Sequence, residues 1–147
     1  MSKVRRILFA TDFSAAATRV YQYAIDFAAD LDASIVVLHA HQEPANALPD
    51  GAVDLPQEIE SDIRERVAAE LKQFAESIDT KSVNVTTQLV EGVPYVEITN
   101  TASELGVDLI IVGTHGRTGL AHILLGSVAE RVVRTSDVPV LTIRSSD

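Results

Sequence analysis

The chain has 147 residues, of which 46% are apolar and 22% charged, the balance of one soluble globular domain with a core of its own. It contains no cysteine, which excludes disulfides, thiol catalysis and cysteine-ligated zinc. Its 21 acidic and 12 basic residues give a net charge of −9, which argues against nucleic acid or an anionic membrane as the partner.

The first predicted elements are a strand, a helix and a second strand. Residues 4–10 form a strand that is apolar at its carboxyl end, and Ser14 then suits a helix N-cap. Apolar residues at intervals of three and four indicate one buried helical stripe: Ala17, Val20, Tyr21, Ala24, Phe27, Ala28 and Leu31. Residues 34–40 contain the continuous apolar run Ile-Val-Val-Leu, which predicts a strand buried on both faces.

Two histidines close the second predicted strand. His39 and His41 are two residues apart, so their side chains point to the same face of a strand. A histidine at a strand end more often has a structural role than a catalytic one, and no third metal ligand is near in the sequence. We therefore predict no metal site here.

The longest irregular stretch is residues 42–55, in which Pro44, Pro49 and Gly51 interrupt any periodicity. A loop of this length either covers a site or faces a partner, or it is a tolerated surface insertion, and the sequence leaves these readings open. Residues 56–78 follow as the longest predicted helix, with one apolar stripe and one charged, solvated face.

Residues 83–90 alternate in polarity, which predicts a strand at an edge of the sheet. Pro94 then suits the first turn of a third helix, where a missing N–H is harmless, and Gly106 suits its C-cap.

The most informative stretch runs from residue 107 to residue 135. Residues 107–112 are a short apolar run that predicts a buried strand, and glycines follow at positions 113, 116 and 119. Gly126 and Ser127 then precede a helical pattern with valines on one side. A strand that ends in glycines and resumes as a helix predicts a phosphate cradle, because glycines admit an anion to the backbone and a helix N-terminus attracts it.

The glycine spacing is Gly-x2-Gly-x9-Gly-Ser, which is neither the dinucleotide fingerprint nor the Walker loop, and no lysine is present in the stretch. Arg117 is the loop's cation, and contact with phosphate and plain solvation are equally good interpretations of it. His115 and His122 have no evident partner for nucleophilic or acid–base chemistry, so we predict no catalytic residue.

The last predicted strand begins at Val138 and ends at Ile143. Pro139 cannot donate to a central ladder, which places this strand at the second edge of the sheet. An apolar edge strand invites pairing with another chain. No apolar run approaches the ~20 residues that span a bilayer, and the one after the basic N-terminus is too short for a signal peptide, so we expect a cytoplasmic protein with no membrane insertion.

Three segments together carry a resemblance to a known family: residues 113–120 (GTHGRTGL), 125–128 (LGSV) and 138–141 (VPVL). They resemble the universal stress protein family, and within it the ATP-binding branch, which has this glycine spacing. The resemblance covers essentially all of residues 1–147, as a single domain. Five predicted strands alternate with four predicted helices, which by itself indicates an α/β fold in three layers around a five-stranded parallel sheet. The resemblance implies the strand order 3-2-1-4-5 and similarity to the adenine nucleotide α-hydrolase and Rossmann folds.

The resemblance also implies a set of binding residues. Asp12 would lie beside adenine and ribose, and backbone groups at Ala40 would bind the adenine edge. Gly113 and Gly116 would admit the ribose and the first phosphates, with the N–H groups of the Gly126 segment at the terminal phosphates. The complete predicted set is Ala10, Thr11, Asp12, Ala40, Gly113, Thr114, Gly116, Arg117, Gly126, Ser127 and Val128.

Three functions are compatible with these observations. The first is an ATP-binding stress-response regulator that uses ATP with Mg²⁺ and hydrolyses it slowly or not at all. The resemblance, together with the apolar edge strand, implies that this regulator is a homodimer through the strand from Val138 to Ile143. The second is a genuine ATP hydrolase, which requires a general base or metal-binding carboxylates near Ser127. Asp12 is the only obvious acidic candidate, and the resemblance places it at the adenine end instead. The third is a nucleotide-free interaction module, and the intact glycine spacing argues against it.

Overall fold

The computed structural model describes residues 3–42, 56–114 and 125–145. Within these ranges strands and helices alternate along the chain. The strands are β1 (Arg6–Ala10), β2 (Ser34–His41), β3 (Val85–Glu91), β4 (Leu109–Gly113) and β5 (Val140–Ile143). The helices are α1 (Ala15–Leu31), α2 (Gln57–Ala75), α3 (Pro94–Leu105) and α4 (Ser127–Thr135).

The five strands form one parallel sheet in the order β3-β2-β1-β4-β5, which confirms the predicted α/β fold and strand order. β1 is central, and its Leu8 pairs with Val36 on one side and Ile110 on the other. The chain winds outward from β1 to β3 in one direction and from β4 to β5 in the other. The carboxyl ends of β1 and β4 therefore flank the point where the winding direction reverses, which is where sheets of this kind bind ligands.

Alternating residues of the central strands supply two cores, one on each face of the sheet. Ile7 and Phe9 of β1 pack with α1 and α2, whereas Leu8 packs with α3 and α4. This alternation gives three layers, as predicted. No helix in the described part of the chain has the length and apolarity to cross a membrane.

The predicted helix ends are confirmed at several positions. The Ser14 hydroxyl accepts a 3.1 Å hydrogen bond from the backbone N–H of Ala17 and so caps α1. Pro94 begins α3, and Gly106 ends it in the left-handed conformation with φ of 65°. The predicted edge positions of β3 and β5 are also correct.

Several predicted element ends differ from the structure for local reasons. β5 begins at Val140 rather than at Val138, because the Ser136 hydroxyl bonds both the N–H and the carbonyl of Val138 in a turn. α2 ends at Ala75 rather than at residue 78. The Ser77 hydroxyl donates to the Phe74 carbonyl at 2.6 Å and so competes with the helical N–H that would otherwise bond it. The strands predicted from residues 4, 83 and 107 begin two residues later, at Arg6, Val85 and Leu109.

Candidate nucleotide site

A cavity of about 290 Å³ lies at the carboxyl edge of the sheet, where β1 and β4 end side by side. This volume is at the lower end of the range of small-molecule sites, roughly 300–1,000 Å³. The described part of the chain contributes wall residues from β1, β2, β4, α1, α3 and α4. The position is the topological switch point of the fold, where the strand order alone predicts a ligand site.

Nine of the eleven residues predicted from the sequence line this cavity: Ala10, Thr11, Asp12, Ala40, Gly113, Thr114, Gly126, Ser127 and Val128. The other two, Gly116 and Arg117, lie outside the described residues, as do His115, His122 and most of the 42–55 loop. The cavity walls also include residues that the sequence analysis did not assign to a binding site: Phe9, Ala17, His39, Pro94, Ile98, Val112 and Ala129.

The segment after β1 forms a tight turn held by its own side chains. The N–H of Thr11 donates to the Leu38 carbonyl at 2.9 Å, which ties the end of β1 to β2. The Thr11 hydroxyl accepts from the N–H of Phe13 at 3.0 Å, and Asp12 Oδ1 accepts from the N–H of Ser14 at 3.0 Å. Phe13 has φ of 66°, a left-handed conformation that bulky residues rarely adopt. This turn brings Asp12 to the cavity wall directly before α1 begins.

His39 joins the same turn from the neighbouring strand. Its Nδ1 lies 2.8 Å from the Thr11 carbonyl oxygen, and its ring stacks on Phe13 with centroids 4.2 Å apart. The neighbouring His41 has a buried Nε2 that contacts no hydrogen-bond partner among the described residues. The sequence analysis predicted a structural role for His39. Its position directly before the predicted site residue Ala40 was the only sign that it would line the cavity.

The N-terminus of α4 lines the cavity with the N-cap Gly126 and the first three helical residues, Ser127 to Ala129. Gly126 is the N-cap, and because glycine has no side chain it cannot satisfy the first N–H groups of the helix. Two backbone bonds anchor this end: the N–H of Gly126 donates to the Thr114 carbonyl at 2.6 Å, and the N–H of Thr114 donates to the Ile143 carbonyl at 3.1 Å. The result is a fixed helix end whose N–H groups and dipole favour an anion.

The cavity wall offers few charged side chains. Among the described wall residues, none is lysine or arginine and Asp12 is the one carboxylate. Phosphate at this position would therefore depend on backbone N–H groups rather than on side-chain cations. The described residues also contain no group of three or more His, Cys, Asp or Glu that could hold a metal ion.

The chain matches the sequence profile of the Universal stress protein family over residues 3–144. It is 34% identical over 142 residues to universal stress protein MJ0531 of Methanocaldococcus jannaschii, which covers 95% of this chain and 82% of the relative. It is 31% identical to universal stress protein MJ0577 of the same organism, over 95% of this chain and 94% of the relative.

Solved structures give the same result. The structure of MJ0577 superposes with a TM-score of 0.79 and covers 99% of both chains, at 29% identity. A universal stress protein crystallised in complex with cAMP superposes with a TM-score of 0.70 at 26% identity, and it covers 99% of this chain and 100% of the other.

Proposed function

Because the chain belongs to the universal stress protein family, we propose that it binds ATP in the cavity between β1 and β4 and acts as a nucleotide-dependent regulator of a stress response. One observation carries this proposal. Asp12 and the Gly113 and Gly126 segments are about a hundred residues apart in sequence, yet they line one cavity at the switch point.

The two sides of the cavity suit the two ends of an adenine nucleotide. Asp12 provides a carboxylate that accepts hydrogen bonds from ribose hydroxyls, and Ala40 provides backbone groups for the adenine edge. The opposite wall, from Gly126 to Val128, provides N–H groups and a helix dipole for the phosphates. The cAMP complex of a related structure supports an adenine nucleotide as the ligand class.

The residues of the cavity wall favour a binding role over rapid hydrolysis. A hydrolase needs a general base within hydrogen-bond reach of the attacking water. Of the described wall residues, Asp12 and His39 are the two candidates, and they come from the β1 and β2 ends of the wall rather than from the α4 N-terminus. Mg²⁺ would accompany the triphosphate and offset its charge. We therefore expect slow or absent turnover.

We also propose that the protein forms a homodimer through β5. The strand lies at the edge of the sheet, and its four residues are partly exposed in the single chain. β5 also bonds the cavity wall, because the Ile143 carbonyl accepts from the N–H of Thr114. Assembly through this edge would thus link the nucleotide site to the dimer interface.

The decisive experiment is mass spectrometry and absorbance on nucleotide released from the purified, acid-quenched protein, with a second sample incubated with ATP and Mg²⁺. Intact ATP in either sample supports the proposal, and calorimetry with ATP, AMP, cAMP and GTP then tests the preference for adenine and for the phosphate tail. Turnover above about 1 per second, the low end of typical enzymes, would favour the hydrolase instead. Failure to recover or bind any of the four nucleotides would refute the proposed site.

A further inference from the structure

His39, a residue of the cavity wall, makes a hydrogen bond to the turn after β1 that the sequence did not predict. The Thr11 carbonyl oxygen can only accept a hydrogen bond, so the Nδ1 atom of His39 at 2.8 Å must carry the proton. This holds for both charge states of the ring: the neutral ring must be the Nδ1–H tautomer, and the imidazolium has a proton on each nitrogen. The bond therefore persists whether or not His39 is charged.

The strained residue next to Asp12 is held by the same ring. Phe13 adopts φ of 66°, an unfavourable conformation for a bulky residue that persists only when its surroundings impose it. The Phe13 ring stacks on His39, with centroids 4.2 Å apart, and its other neighbour is Phe74 of α2 at 5.9 Å. His39 thus contacts the residue on each side of Asp12: the carbonyl of Thr11 before it and the ring of Phe13 after it.

We propose that His39 is a positioning residue for nucleotide binding, which fixes the 11–14 turn through its Nδ1–H bond and its stacked ring and so places Asp12 at the cavity. This inference rests on the proposed function for the identity of the ligand, whereas the contacts of His39 with Thr11 and Phe13 are independent of any ligand. His39 acts from β2, the neighbouring strand, where it has a rigid base that a loop residue would lack.

Two substitutions separate the hydrogen bond from simple packing. His39→Leu fills the space but removes the donor, whereas His39→Asn keeps an N–H group at nearly the position of Nδ1. We expect His39→Leu to raise the Kd for ATP roughly five- to tenfold, the effect of one hydrogen bond of ordinary net strength. His39→Asn should restore most of that affinity. His41→Leu is the matched control, since its ring lies 6.3 Å from that of His39, and it should change the Kd by no more than about twofold.

Calorimetry with ATP on the full chain gives the affinities, and a long-range ¹H–¹⁵N correlation spectrum of the imidazoles reports the tautomer without any nucleotide. The expected results are an Nδ1–H tautomer for His39, weaker binding by His39→Leu and recovery in His39→Asn. An Nε2–H tautomer, wild-type affinity in His39→Leu, or equal loss in both variants would overturn the inference. If the wild type itself binds no ATP, the proposed function fails, and the tautomer still tests the contact with Thr11.

Discussion

The backbone N–H of Gly126 donates a 2.6 Å hydrogen bond to the carbonyl oxygen of Thr114. Thr114 directly follows β4, and Gly126 is the N-cap of α4, so this bond joins the end of the strand to the start of the helix. The helix N-terminus is therefore fixed at the carboxyl edge of the sheet by a contact that involves no side chain. Its N–H groups are oriented before any ligand arrives.

Gly126→Asp tests whether these N–H groups hold phosphate. Gly126 has φ of −65° and ψ of 162°, a conformation that any residue adopts, so the variant should fold. An aspartate at the N-cap accepts from the helix N–H groups and should stabilise the protein by a few tenths of a kcal/mol. The same carboxylate would occupy the anion site and repel phosphate. We expect calorimetry to show ATP affinity lowered at least about a hundredfold, or about 2.7 kcal/mol.

Gly126→Ala is the control, because alanine adds bulk without an acceptor. It should weaken ATP binding less than the aspartate does and should slightly lower the melting temperature. If Gly126→Asp bound ATP as tightly as the wild type, the phosphates could not lie at this helix end.

Asp12→Asn tests the other side of the cavity. The amide oxygen of asparagine can still accept from the N–H of Ser14, so the bond that Asp12 Oδ1 makes in the turn is kept. The charge that strengthens a hydrogen bond from a ribose hydroxyl is lost, and we expect the Kd for ATP to rise by about tenfold, or 1.4 kcal/mol. Asp12→Ala should lose affinity and also melt at a lower temperature. A Kd for Asp12→Asn equal to that of the wild type would remove Asp12 from the ligand contacts.

Much of the fold and of the site could be predicted because local patterns specify them. The apolar runs indicate central strands, Ser14 and Gly106 indicate helix ends, and the glycine spacing with its flanking strand and helix indicates an anion site. The strand order came from the resemblance, since alternation of strands and helices fits several orders. It is this order that brings Asp12 and Gly126 to the same cavity.

The remainder depends on contacts between residues distant in sequence. Nothing in the segment TDFS indicates that Phe13 adopts a positive φ or that its ring contacts His39 and Phe74, which are distant from it in sequence. Pro94 and Ile98 reach the cavity only because of the way α3 packs on the sheet. Val138 is a β-branched residue of the kind that favours strands, but the Ser136 hydroxyl hydrogen-bonds both its N–H and its carbonyl in a turn.

Tyr21 makes the stability of the protein sensitive to alkaline pH. Its hydroxyl donates to the Ala75 carbonyl at 2.8 Å, and burial raises the pKa of Tyr21 to about 12 from 10.0. A raised pKa in the folded state contributes stability that is complete below pH 10 and is lost as the pH rises toward 12. The loss for this one group should be roughly 2–3 kcal/mol.

Tyr21→Phe should cost about 1 kcal/mol at pH 7, because the buried Ala75 carbonyl loses its donor from Tyr21. Its free energy of unfolding should then fall less steeply than that of the wild type between pH 10 and pH 12. Urea titrations across this interval measure both curves. Parallel curves would show that Tyr21 does not ionise on unfolding in this range.

Asp108 should make the stability of the protein sensitive to acidic pH. Its Oδ2 accepts from the N–H groups of Arg5 at 2.9 Å and Arg6 at 3.0 Å, which joins the residue before β4 to the start of β1. These two bonds lower the pKa of Asp108 below 3.8. The stability that they contribute is therefore present above pH 3.8 and is lost as the pH falls through the lower folded value. Asp108→Asn should be less stable than the wild type at pH 7, and urea titration should show this difference shrinking in acid. A difference that stays constant with pH would contradict this role.

Thr142→Pro tests the proposed dimer. The Pro139 carbonyl accepts from the N–H of Ile110, and the Ile143 carbonyl accepts from the N–H of Thr114. The backbone groups of the odd-numbered residues along β5 therefore point toward β4. Val140 and Thr142 then present their backbone groups to the free edge. Proline at position 142 removes an outward N–H and leaves the donors to β4 in place, whereas Thr142→Val keeps that N–H.

We expect sedimentation velocity at micromolar concentration to show a dimer for the wild type and for Thr142→Val, and a monomer for Thr142→Pro. The proline variant should also bind ATP less tightly if assembly is linked to the site through the bond from Thr114 to Ile143. A wild type that sediments as a monomer would rule out the dimer. A dimeric Thr142→Pro would place the interface elsewhere, because strand pairing through this edge cannot tolerate the loss of its central donor.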